Sequence, residues 1–125
     1  MSAERKKMIH ILIADDFKVL RDVIRLYLEQ AEDMDVLDEA PDLNQALKSA
    51  KALHPDVVIM NDYLPPIDSA HAAAHFRELG FTAAILIISM HLEPGLIQGS
   101  LLSGANGFIH KEKHKSRIGN LIRLR

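Results

Sequence analysis

PDVVIMNDYLPPIDS, residues 55–69, contains the transition that decides the fold. Its apolar run, DVVIM at 56–60, stops at the polar pair Asn61-Asp62. Prolines follow at 65 and 66, and then Asp68 and Ser69, either of which can cap a helix. A run this short and this apolar suits a parallel strand covered on both faces. The expected unit is therefore strand, polar tip, loop, helix.

The same unit recurs outward in both directions. MIHILIA (8–14), VLDEA (36–40), AAILIIS (83–89) and GFIH (107–110) are short, rich in Ile, Val and Leu, and bounded by polar or turn residues. Between them lie helical patterns. Residues 17–31 place Leu20, Val23, Ile24, Tyr27 and Leu28 on one face and Lys18, Arg21, Asp22, Arg25 and Glu29 opposite. Asp42 can cap 43–53, where Leu43, Ala46, Leu47, Ala50 and Leu53 form the stripe. A third helix runs from Asp68 or Ser69 through Leu79 and closes on Gly80. A fourth is expected over 93–103 and a fifth over about 113–124, with Ile118, Leu121 and Ile122 inward. Five such units with right-handed crossovers make a doubly wound α/β sheet, (βα)5, with helices on both faces.

Composition sets outer bounds. The chain has 125 residues, 48% of them hydrophobic, a net charge of -2 and no cysteine. A single domain over 1–125 with a real core is expected, with no effector domain after it. Disulfides and Cys-based zinc sites are excluded. The first apolar run is far short of the about 20 residues that a membrane span needs, so a cytoplasmic protein is expected, with no direct contact to membrane or nucleic acid. Charge is uneven: seven acids and no base lie between Glu29 and Asp42, and six Lys or Arg against Glu112 lie between Lys111 and Arg125. Such blocks read first as solvated surfaces.

In doubly wound sheets, ligands bind outside the carboxyl ends of the strands. Here those ends are Asp15-Asp16, Asn61-Asp62, Ser89 and His110-Lys111. Adjacent carboxylates repel unless a cation offsets them. Mg²⁺ takes oxygen ligands and one or two carboxylates, while a hydroxyl and a lysine offer a hydrogen bond and a charge to phosphoryl oxygens. The plainer reading of Asp15-Asp16, a helix cap beside a dipole-complementing acid, is outweighed by Ser89 and Lys111 at the neighbouring tips.

With these residues in place, the chain resembles the receiver domain of bacterial response regulators along essentially its whole length. ILIADD (11–16), PDVVIMNDYLPPIDS (55–69), ILIISMH (85–91) and GANGFIHK (104–111) carry the resemblance in order and spacing. The SMH and GANGF details are most similar to receivers of the regulator class with a DNA-binding helix-turn-helix. The resemblance implies the flavodoxin-like fold with strand order 2-1-3-4-5, a role in two-component phosphorelay signalling and transcription regulation, and no enzymatic activity of its own. It makes Asp16 a direct Mg²⁺ ligand, Asp15 a partner through water and the Tyr63 carbonyl a backbone ligand. Ser89 and Phe108 become switch residues, and Lys111 the lysine that pairs with the phosphoryl group.

The phosphoacceptor position falls on Asn61. A neutral amide is a far weaker nucleophile than a carboxylate, and it removes one negative charge from a metal site. Mg²⁺ binding is therefore expected to be weak, and Asp15 and Asp16 are alternative partners for Lys111. Asp62 is one residue on, and adjacent strand residues face opposite ways, so it is expected to reach the pocket only if the loop re-aims it. The expected function is an atypical receiver, a pseudo-receiver that acts as an interaction module without phosphorylation at Asn61. The alternative is an ordinary Mg-dependent aspartyl-phosphate switch whose acceptor aspartate has been replaced by asparagine. Pro65-Pro66 in place of Pro-Gly and Ser69 in place of glycine accompany the departure.

Expected partners are a histidine kinase, an effector domain or another regulator. A homodimer would use helices one and five, or the face made by helix four, strand five and helix five. Val19 and Leu26 fall outside the inward stripe of helix one. Gly95 and Gly99 weaken helix four by about 1 kcal/mol each relative to alanine. His71/His75 and His110/His114 stand at i, i+4 and read as solvated pairs for want of a third ligand.

Overall fold

The computed structural model describes residues 7–89, 94–110 and 118–124. In chain order the elements are β1 (Ile9–Ala14), α1 (Lys18–Glu29), β2 (Met34–Ala40), α2 (Leu43–Leu53), β3 (Val57–Asn61), β4 (Tyr63–Leu64), β5 (Ile67–Asp68), α3 (Ser69–Glu78), β6 (Ala84–Ser89), α4 (Pro94–Leu102), β7 (Gly107–His110) and α5 (Ile118–Leu124). Five strands form one parallel sheet in the order β2-β1-β3-β6-β7. That is the expected 2-1-3-4-5 once β4 and β5 are set aside. These two pair antiparallel in a small hairpin that apolar periodicity does not announce, because each strand is two residues long.

Alternation along the strands divides the core in two. Ile11, Ile13, Val57, Ile59, Leu86 and Ile88 pack with Ile24 and Leu28 of α1 and with Ile118 and Ile122 of α5. Leu12, Val58, Met60, Ile85 and Ile87 pack on the other face with Leu43, Ala46 and Ala50 of α2 and with Ala72, Ala73 and Phe76 of α3. Each fully buried Ile, Leu or Phe is worth roughly 1.5–3 kcal/mol against exposure, so the central strands dominate stability.

The helices begin where sequence chemistry starts them. Asp42 accepts the Gln45 N–H at 2.8 Å, and Asp68 accepts that of His71 at 2.9 Å. At the end of α3, Gly80 adopts φ +88°, a left-handed conformation that glycine enters without strain. Three expectations are corrected. Val23 and Tyr27 of α1 are 48% and 37% exposed, since Ile24 and Leu28 alone fill the seam and Leu20 is half-buried against it. Leu53 is 43% exposed because it is the last residue of α2, past the end of the sheet contact. Of the fifth helix, residues 113–117 lie outside the described residues.

Arg77 of α3 ties two loops together, the one before β6 and the one before β7. Its Nη1 donates to the carbonyls of Phe81 and Ala83 at 2.9 and 2.8 Å. Its Nε and Nη2 donate to the Gly104 carbonyl at 3.1 and 2.8 Å, and Nη2 also reaches Asn106 Oδ1 at 2.8 Å. Asn106 exchanges hydrogen bonds with the Ile85 backbone, accepting its N–H at 2.9 Å and donating to its carbonyl at 2.7 Å. Burial lowers the Arg77 guanidinium from its ordinary value. Gly104 sits at φ +120°, and a Cβ there would lie 2.6 Å from Arg77 Cγ. Arg77→Met strands several acceptors at once and is expected to destabilise the domain by about 3 kcal/mol, read as a lowered urea midpoint.

The Asp68 carboxyl is held below the usual carboxylate range, first by the His71 backbone N–H and further by the His71 imidazole, whose Nδ1 lies 2.7 Å away. A depressed folded value adds stability above the unfolded value of about 3.9, and this is lost as pH falls through the folded value. Asp68→Ala should therefore cost about 1 kcal/mol at neutral pH, and the deficit against the parent should shrink below about pH 4 in urea titrations at stepped pH.

Candidate functional site at the carboxyl ends of the strands

Register places the polar residues at the strand tips. Ala14 pairs with Met60, so Asp15 lies beside Asn61. Asn61 pairs with Ile88, so Asp62 lies beside Ser89, and Ser89 in turn pairs with His110 of β7. Alternation then sorts the row. Asn61 continues the parity of Val57 and Ile59 toward the α1 and α5 face, whereas Asp62 continues that of Val58 and Met60 toward the α2 and α3 face.

Asp15 is 2% exposed. Its Oδ1 accepts the Phe17 N–H at 2.9 Å, and its carbonyl accepts from Arg21 Nη1 at 2.7 Å. The side chain thus orders the turn into α1 without capping it, since the cap position is Phe17 and no side chain bonds there. Arg21 and Arg25 both reach Glu39 of β2, at 3.0 and 2.6 Å. Burial works against the Arg25 charge, but hydrogen bonding and attraction from Glu39, with help from Glu29, outweigh it and raise its guanidinium above the ordinary value. Asp16 is exposed at the rim.

Asn61 lines a narrow cleft with Asp15, Ile24, Ile59 and Ile88 that has no room for a water. Its Oδ1 is buried and accepts no hydrogen bond among the described residues. Such an orphan acceptor costs roughly 1–3 kcal/mol. Tyr63 follows in β4 with its side chain 48% exposed. Phe108 is half-buried and packs against the core under α2 and α3. Lys111 lies outside the described residues, as does His114. Among the described residues no three Asp, Glu or His side chains converge on a point where a metal could sit, and the His71/His75 pair gains no third ligand.

The notable contact is one that alternation within a single strand does not announce. The Ser89 hydroxyl, fully buried, donates to Asp62 Oδ2 at 2.6 Å. Asp62 does face away from Asn61, as alternation requires, but Ser89 has the same parity and sits next to it across the β3–β6 ladder. The loop re-aims nothing. Counting register from the ends of the two apolar runs would have found the pair, because both residues stand one step beyond matched positions.

Comparison with known proteins gives a consistent result. Residues 11–123 match the family model of the response regulator receiver domain. The chain is 30% identical over 118 residues to the probable transcriptional regulatory protein NarL of Mycobacterium tuberculosis, covering 94% of this chain and 55% of that protein. It is 35% identical over 107 residues to a protein-glutamate methylesterase/protein-glutamine glutaminase of Caldanaerobacter subterraneus, covering 85% of this chain and 29% of that protein. The chain therefore spans about half the length of the first relative and less of the second. The signal receiver domain of the putative response regulator NarL from M. tuberculosis superposes with a TM-score of 0.86 at 28% identity, over 95% of this chain and 99% of that one. Matched over residues 11–123 and with the sheet order of a signal receiver, this chain belongs to the response regulator receiver domain family.

Proposed function

We propose that this receiver is a pseudo-receiver, a regulatory and interaction module that works without phosphorylation at Asn61. The reading rests chiefly on the amide at position 61, beside Asp15 at the tip of the central strand, with its oxygen buried and unpaired among the described residues. Phosphoryl transfer there would need an anionic oxygen to attack phosphorus, and an amide oxygen carries no such charge. Ser89 and Phe108 are assigned the switch roles, and Lys111 the charge that pairs with acids at the tips.

Receiver domains typically bind Mg²⁺ at this place. The donors here are all oxygens, Asp16 and Asp15 with the Tyr63 carbonyl, and they suit a hard cation in kind. With an amide at 61 the set is one charge short, so the metal is held weakly. When bound, Mg²⁺ would offset the Asp15-Asp16 repulsion and neutralise phosphoryl oxygens. The chain's own residues hold the frame without it: Asp15 through the Phe17 N–H, and α1 through Arg21 and Arg25 on Glu39.

Receivers interact with histidine kinases, effector domains or other regulators. For this one a second copy is the partner we assign to α1. Val19, Val23 and Leu26 stand 60%, 48% and 65% exposed along one line of the helix. They are flanked by Lys18, Asp22, Arg25 and Glu29, whose signs alternate. A two-fold axis through the middle of α1 brings Lys18 toward Glu29 and Asp22 toward Arg25 of the other copy, so the face is self-complementary.

Two measurements check this. Incubated with Mg²⁺ and acetyl phosphate, the chain should gain no phosphoryl mass, whereas Asn61→Asp should gain one; a phosphoryl adduct on the unaltered chain defeats the pseudo-receiver reading, and an inert Asn61→Asp shows a pocket altered beyond one residue. In sedimentation, Leu26→Glu should weaken self-association at least tenfold, about 1.4 kcal/mol, with the fold intact by circular dichroism.

A further inference from the structure

α2 and α3 lie on the same face of the sheet but scarcely meet. α2 packs on β1 and β2, while α3 packs on α4 and the β4–β5 hairpin. A trough runs between them. One part, of about 520 Å³, is lined by Leu47, Lys48, Lys51 and His54 on the α2 side and by Leu79 and Phe81 on the other. A second part, of about 540 Å³, shares Asn44 and Leu47 with the first and continues to Pro65, Pro66 and His75. The trough thus follows the whole of α2, 11 residues or about 16 Å of helix.

Its floor is apolar and fixed in advance. Leu47 and Phe81 are partly buried against the core beneath. The chain turns sharply at Gly80, where the Gly80 N–H donates to the Arg77 carbonyl and the Phe81 N–H to that of Phe76, both at 3.0 Å. This paired closure of a helix end sets the Phe81 ring against that of Phe76, with centroids 5.4 Å apart. Arg77 holds the Phe81 carbonyl from the other side. Leu79 stands beside this floor, 60% exposed. Walls so held lose little freedom when a ligand binds.

The rim is cationic. Lys48 and Lys51 are exposed, and neither has an anionic partner among the described residues. Lys51 also offsets the carbonyl end of α2, but Lys48 lies before the last turn, beyond the reach of that effect. His54 closes α2 at φ +50°, a left-handed position that glycine takes with less strain, and it lines the same trough. Asp42 is the one acid among the lining residues, and its carboxylate is engaged by the Gln45 N–H. The chain's own acidic block is largely engaged as well. Arg21 and Arg25 take Glu39, Arg123 takes Asp33, and Ser49 takes Asp38. The matching negative charge therefore comes from another molecule.

We propose that the α2–α3 trough is a docking site for an acidic amphipathic helix of a partner protein, with apolar anchors seated on Leu47, Leu79 and Phe81 and carboxylates paired with Lys48 and Lys51. About three turns of helix fit along α2 and present anchors at i, i+4 and i+7, and acids flanking that stripe meet the lysines. Asn61 faces α1 and α5, on the other side of the sheet, so the proposal stands apart from the pseudo-receiver reading.

Selection of a displayed library of random peptides about 16 residues long on the full chain tests this. Enriched sequences should carry Leu, Ile or Phe at helical spacing with Asp or Glu beside them. A synthetic copy of the most enriched peptide should turn helical on binding by circular dichroism, and should shift backbone amide resonances over 43–54 and 75–81 while leaving α1 unmoved. Lys48→Glu/Lys51→Glu should weaken it by about tenfold or more, and Leu79→Ser by about fivefold, with the fold intact. All three side chains are exposed, and should the double variant misfold, the two single lysine variants carry the comparison. Enriched peptides without acids, binding unchanged by the lysine variants, or shifts centred outside the trough overturn the proposal. Phosphatidylglycerol vesicles and polyuridine RNA are the competing occupants. Binding of either that is lost with Lys48 and Lys51, with no peptide enriched, overturns it too.

Discussion

In-register pairing of β1, β3 and β6 is the constraint on which the rest of the molecule depends. These strands are buried on both faces, so a slip of one residue would exchange every side chain between the two cores. Ile11, Ile13, Ile59 and Ile88 belong with α1 and α5, while Leu12, Met60 and Ile87 belong with α2 and α3. Register fixed in this way reaches the strand tips as geometry: Asp15 beside Asn61, Asp62 beside Ser89, Ser89 beside His110. The polar row owes its arrangement to the apolar run that precedes it.

The row is electrically uneven. On the α1 side, the buried Asp15 is held by a backbone N–H, and Arg21 and Arg25 fasten the helix to Glu39. Next to Asp15 stands the amide of Asn61, whose buried oxygen has no donor among the described residues. On the opposite side a carboxylate and a hydroxyl are joined. The amide at 61 and the carboxylate at 62 thus stand on opposite faces of the sheet.

Much of this was legible in the sequence, for physical reasons that can be named. Uninterrupted apolar runs such as DVVIM and AAILIIS identify strands covered on both sides, and Asp42 and Asp68 mark helix starts because a short acidic side chain satisfies a free N–H. The hairpin at 63–68 left no trace, since two-residue strands have no period. Val23 and Tyr27 were misplaced because helical periodicity gives the direction of a face and not its width. Asp62 faces away from Asn61 as alternation within the strand requires, but its partner Ser89 lies on the neighbouring strand, where that rule gives no information. Arg77 carried no pattern at all; its role depends on three carbonyls brought together only by tertiary folding.

The Arg77 knot has a mechanical corollary for α4. The trailing end of that helix runs through Ser103 and Gly104, whose backbone N–H groups bond to Gly99 and Leu101, into a carbonyl clasped by Arg77 from α3. The rear of the helix is thus tied to α3 and the following strand through one guanidinium, and any side chain at 104 would press on the Arg77 stem and slacken that tie.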